Sequence, residues 1–146
     1  MIEKFGNIIY LIIYIVHFGI IGTYGYQLVF GTQKFIEGRG VDKSATLLTR
    51  FGGSFMIASV IMAIYVAFVR SGGLEATWAF FNFIFIINLC ILIINFYSIK
   101  INKTGVNEKT GTDGIYAPLI LTILRAIMCY GLSDKIYVYT SFINFY

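Results

Sequence analysis

Charged residues divide this chain into four long apolar runs. None occurs between Lys4 and Lys34, so a first run lies within 5–30. Arg50 and Arg70 bracket a second at 51–69, and Glu75 and Lys100 bracket a third at 76–99. A fourth, 115–132, follows Asp113 and Gly114 and ends before Ser133 and Asp134. A ~30 Å hydrocarbon core takes about 20 helical residues, and every run reaches or approaches that length. The pattern predicts an all-α polytopic membrane protein: one embedded domain over 1–146, built as a four-transmembrane-helix bundle. Arg125 leaves a second reading of the last run, as an interfacial segment, but 115–124 alone is too short to cross. Pro118 is expected in the first turn of the fourth helix, where its missing N–H costs little. Lys4 ahead of an apolar stretch also resembles a signal peptide; the stretch is longer than such peptides carry, and no small-x-small cleavage site follows it.

Composition agrees with a bilayer as solvent. The 146 residues are 58% hydrophobic and 12% charged, against roughly 25% charged in ordinary soluble domains. The four runs hold one of the 18 charged residues, Arg125. The other basic residues set an orientation. Lys34, Arg39, Lys43, Arg50, Lys100, Lys103 and Lys109 fall in the two longer loops, and Lys4, Arg70 and Lys135 on the opposite side. The positive-inside rule then places both longer loops in the cytoplasm and both termini outside. The net charge of +4 is thereby accounted for without a nucleic-acid partner. Residues 136–146 are too few to span, and Tyr137, Tyr139 and Tyr146 favour the headgroup level, so this tail is read as an interfacial foot.

Candidate chemistry is sparse. Cys90 and Cys129 lie in apolar segments at different depths and are expected as small core residues, with no metal-ligand spacing. In the first run Gly19, Gly22 and Gly25 recur at steps of three, and in the second Ser59, Ala63 and Ala67 at steps of four; such small residues let helices approach closely in lipid. Counted from span ends near Val29, Ile99 and Ile115, the residues His17, Asn88 and Arg125 lie 12, 11 and 10 residues in. Three polar side chains on three helices are therefore expected at one depth, with Asn95 one heptad from Asn88. An Arg at a helix centre costs about 2.5 to 3.5 kcal/mol on insertion scales and should face the bundle interior. No run contains Asp or Glu, so its partners must be hydroxyls such as Tyr14 or Thr122, amides, carbonyls, water or an external anion. Two readings follow: a snorkelling arginine beside satisfied core residues, or a cavity where Arg125, Asn88 and His17 hold an anionic group. His17 as axial ligand of a haem is a further reading, and no cofactor is specified by the sequence.

The succession Tyr24-Gly25-Tyr26-Gln27-Leu28-Val29-Phe30-Gly31, a short charged loop, and then Thr49-Arg50-Phe51-Gly52-Gly53 resembles the DoxX-like family of small four-helix membrane proteins. The resemblance implies a four-helix fold and a link to quinone and redox complexes, with no functional residue to carry over. A similar helix order occurs in the ergosterol-pathway scaffold protein of the endoplasmic reticulum, so the pattern marks architecture more than activity. Together these features favour a non-enzymatic scaffold or accessory subunit, in contact with other membrane subunits or copies of itself. The alternative is a membrane protein or small carrier that binds a lipid, quinone or anionic ligand. An intramembrane enzyme is the third class.

Overall fold

A computed structural model describes residues 2–103 and 105–138. Among them all regular structure is helical. A short helix α1 (Ile2–Phe5) turns at Gly6, whose φ of +67° suits a residue without Cβ. Helix α2 (Ile8–Val29) then starts at Asn7, which accepts the Ile9 N–H at 2.8 Å as an N-cap. The short α3 (Thr32–Gly38) and one 3-10 turn (Lys43–Ala45) lead into α4 (Thr46–Ile64), which continues as π winding over Tyr65–Val69. Helix α5 (Trp78–Phe96) also ends in π winding, Tyr97–Asn102. Helix α6 (Asp113–Gly131) and a final turn α7 (Ser133–Ile136) complete the chain. Four helices, including these extensions, are long and apolar enough to cross a membrane: Ile8–Val29, Lys43–Val69, Trp78–Asn102 and Asp113–Gly131.

The helices overrun the charges expected to delimit them. Arg50 lies within α4, and Lys100 within the π extension of α5. A long basic side chain carries its charge several ångströms from the axis, so a helix continues past it toward the headgroups.

Two antiparallel pairs form the bundle, α2 with α4 and α5 with α6, and the pairs meet chiefly through α2 and α6. Reciprocal glycine contacts set the first pair. A Cβ at Gly25 would lie 3.1 Å from Met56 and Ile57, and one at Gly53 would lie 2.7 Å from Leu28 and 2.8 Å from Val29. Gly22 meets Val60, and Ala63 and Ala67 are buried. Gly19 faces open space and Ser59 is only half-buried, so the small-residue register is narrower than expected. Its missing member is Gly53. The outer surface stays apolar, with Ile12, Phe55, Ile61, Phe83, Ile93 and Ile123 all exposed. That distribution suits lipid, which gives no reason to hide such groups.

Pro118 is the sixth residue of α6, one turn later than expected. There its missing N–H deprives the Gly114 carbonyl of a helical donor. Asn95 of α5 fills the vacancy, its Nδ2 donating to Gly114 O at 2.7 Å. The polar seam of α5 thus repairs a defect in its neighbour. Cys129 packs against the core as expected, half-buried, whereas Cys90 is exposed on the bundle surface, which corrects its expected place: among the described residues no helix covers that face of α5.

One end of the bundle is closed. Lys4 donates to Arg70 O at 3.5 Å, Lys135 to Glu3 O at 2.9 Å and Arg70 to Gly73 O at 2.9 Å, over a plug of Phe5, Leu74, Leu132 and Ile136. Tyr137 donates to Asn82 Oδ1 at 2.7 Å; the rest of the expected interfacial tail, 139–146, lies outside the described residues.

Asn95→Ala should destabilise the protein by about 1 kcal/mol, the low end of the penalty for an orphaned carbonyl, since Gly114 is half-buried. In a Pro118→Ala background, where residue 118 regains its N–H, the same change should cost less than half as much. Thermal unfolding of the four proteins in detergent measures this cycle, and equal costs in both backgrounds would refute the repair.

Candidate functional site

The buried polar side chains do not form one layer. Arg125, fully buried, reaches the first turn of α5: Nε donates to Phe81 O at 3.1 Å and Nη2 to Phe80 O at 3.3 Å. Its guanidinium lies over the ring of Phe81 at 4.1 Å, with Phe80 and Phe18 at 5.2 and 5.3 Å. Nη1 has no hydrogen-bond partner among the described residues. Carbonyls and aromatic faces therefore take the place of a counter-ion. This side chain does not snorkel to solvent.

Asn88 and His17 meet elsewhere. Asn88 Nδ2 lies 3.2 Å from His17 Nε2, which makes Nε2 the acceptor in the neutral ring and puts the proton on Nδ1. That nitrogen faces the backbone of Leu121 without reaching hydrogen-bond geometry. Phe81 precedes Asn88 by seven residues, or about 10 Å of helix, which separates this pair from the Arg125 contacts. Equal residue counts from the helix ends did not become equal depth because Asn95 sits against Gly114, which sets Asn88 and His17 near Leu121. Leu121 is one turn from Arg125, whose side chain extends further toward the closed end. Tyr14 is also committed elsewhere, its hydroxyl donating to Ala63 O at 2.8 Å across to α4. Thr122 donates back to Pro118 O at 2.7 Å within its own helix. Nε2 of His17 is thus engaged by Asn88, and the whole side chain is buried behind the cavity wall.

The site that the fold does build lies between the two helix pairs. Helices α4 and α5 do not pack along each other, and the space they flank is a partly open cavity of about 700 Å³. Its lining on α5 runs from Phe83 to Ile99, about 24 Å of helix axis at 1.5 Å per residue. Ile21, Ile84, Ile87 and Leu121 make the inner walls, and Asn88 is the polar residue there. The outer end is polar and charged, with Tyr24, Arg39, Asn95 and Asp113.

This outer end depends on long-range contacts. Arg39, at the end of α3, forms an ion pair with Asp113 in the first turn of α6. The Tyr24 hydroxyl is directed at the same carboxylate. Arg39 also sits 3.8 Å over the Phe35 ring, and Asn107 donates to the carbonyls of Arg39 and Gly40 at 3.0 and 3.3 Å. Of the ligand-site residues expected from sequence, Asn88 lines this cavity and His17 stands behind it; Arg125, Tyr14 and Thr122 do not line it. Arg39, Asp113 and Tyr24 went unnoticed as a group because 74 residues separate the ion pair.

No family model, curated protein or solved structure matches the chain. The site therefore rests on its own chemistry. A mainly apolar slot, with Asn88 and Ser59 as isolated polar residues and its charged groups at the outer end, suits a molecule with a long hydrocarbon part and one polar head.

The Arg125 arrangement predicts an unusual order of variants. Arg125→Lys keeps a charge that must be desolvated but loses the fork that serves two carbonyls, and should cost about 2 to 3 kcal/mol. Arg125→Met removes the charge at similar length and should stay within about 1 kcal/mol of the native protein. Neither should alter what occupies the cavity. Thermal unfolding and mass analysis of the purified variants check both statements; a lysine variant more stable than the methionine one would refute the first.

Proposed function

We propose that this protein is a multi-pass membrane protein that holds one amphipathic, chain-like molecule, a lipid or a quinone, between its helix pairs. The observation that carries this reading is the 700 Å³ cavity with an apolar slot and a charged mouth. Its size lies within the ~300–1,000 Å³ usual for ligand sites, and charged groups gathered at one end would orient an amphiphile. The basic residues of the two longer loops gather at the mouth end, and the positive-inside rule then turns the mouth toward the cytoplasm.

A second reading, accessory subunit of a membrane assembly, is favoured by the shallow apolar groove between α2 and α4. It is lined by Gly19, Gly22, Thr23, Val60 and Phe68, and Gly19 meets nothing of its own chain there. A glycine on a lipid-facing surface leaves room for a further transmembrane helix to approach closely.

Gly52→Phe separates cavity occupancy from folding. Gly52 lines the cavity and a Cβ there meets nothing within 4 Å, while replacing a helical glycine by phenylalanine relieves a few tenths of a kcal/mol, roughly 0.3 to 0.5. The variant should unfold no earlier than the native protein and lose most of the lipid or quinone that native mass spectrometry finds bound. Equal retention by both proteins would refute the cavity as the site. Gly19→Leu tests the accessory reading: thermal stability should hold while a co-purifying subunit or second copy is lost, and an undiminished assembly would remove that reading.

A further inference from the structure

Resting on the cavity reading, we infer that Arg39 receives the anionic headgroup, a carboxylate or a phosphate, of the bound amphiphile, and that Asp113 is its resident stand-in, displaced when the ligand enters. Both residues line the mouth, and their ion pair closes it between α3 and α6. The side chains are 33% and 46% exposed. A pair so open to solvent contributes little net stability, so one carboxylate can be exchanged for another acid group at small cost.

The exchange strands neither residue. Arg39 stays at the mouth because the Phe35 ring supports its guanidinium and Asn107 holds the backbone carbonyls of Arg39 and Gly40. Its planar fork matches carboxylate and phosphate oxygens bidentately. Released Asp113 keeps the Tyr24 hydroxyl and the first turn of α6, where a negative charge is favoured.

The surrounding charge chooses the sign of the head. Seven basic residues stand against Glu37, Asp42, Glu108 and Asp113 in the segments at this end, so a cationic head seeking Asp113 would meet a repulsive surround. Arg125 cannot serve instead, since it is fully buried and does not line the cavity. A largely apolar wall from Phe83 to Asn95, about 18 Å of helix interrupted by Asn88, lies below one exchangeable arginine and fits a single-chain acid better than a neutral quinone.

The test measures binding of palmitate, palmitoyl lysophosphatidate, hexadecanol and hexadecylamine to the full-length protein in neutral detergent. The native protein should bind at least one acid about tenfold more tightly than hexadecanol, and hexadecylamine no better than the alcohol. Which acid binds identifies a carboxylate or a phosphate source. Arg39→Gln should bring the acids down to the level of hexadecanol measured on the same variant, and Arg39→Lys should recover part of the preference. Asp113→Asn, which removes the competitor, should raise acid affinity about threefold or more, and reads the same exchange if Arg39→Gln fails to fold. An acid preference that survives Arg39→Gln, or acid binding weakened in Asp113→Asn, would overturn the inference. Hexadecanol binding that Gly52→Phe abolishes, with no preference for acids, would overturn it while leaving the cavity reading intact. Binding of none of the probes would overturn both.

Discussion

Donors buried in this bundle have no carboxylate to meet, so the backbone carbonyls take that part. Arg125 binds the carbonyls of Phe80 and Phe81, Asn95 that of Gly114, and Tyr14 that of Ala63. At the closed end Lys4, Arg70 and Lys135 do the same. A carbonyl oxygen has two lone pairs and a helix uses one, so a side chain from a neighbouring helix can take the second without breaking the first. The arrangement satisfies polar groups where lipid offers them no partner. It also fixes helices in register against one another, because each donor must find one particular residue of its neighbour.

These ties explain why the bundle is tight in some directions and open in another. Tyr14 and the reciprocal contacts of Gly25 and Gly53 hold α2 to α4. Arg125 and Asn95 hold α5 to α6, one near each end. The Asn88–His17 contact joins α5 to α2. No corresponding tie crosses from α4 to α5 among the described residues, and the cavity occupies that gap. The outer end is spanned instead by a half-exposed ion pair, the most easily exchanged contact in the set.

Much of the architecture was legible because lipid imposes a simple requirement. Long uncharged runs located the helices, and Arg125 stood out as the one charge within them, but the sequence left snorkelling and a lined cavity both open. Helix ends were less legible, since Arg50 and Lys100 can ride on a helix and still reach water. Arg125, Asn88 and His17 could be counted along their helices, but residue counts do not say which way a long side chain extends. The heptad from Asn88 to Asn95 was visible, whereas its purpose at Asn95 required knowing that Pro118 sits past the first turn. Gly53 was visible as half of a glycine pair, but only the approach of Leu28 and Val29 distinguishes it from Gly52. The mouth was hidden most completely, because Arg39 and Asp113 come from segments joined only by tertiary packing.

The inner end of the cavity has a consequence for traffic across the bilayer. Beyond Asn88 and Leu121 the interior is filled by Phe18, Phe80, Phe81 and the Arg125 side chain, and then by the plug of Phe5, Leu74, Leu132 and Ile136. A molecule that slides in tail first meets this floor with its head still at the mouth. Among the described residues the cavity lining does not continue past this floor, so on the proposed reading a bound molecule enters and leaves by the mouth alone.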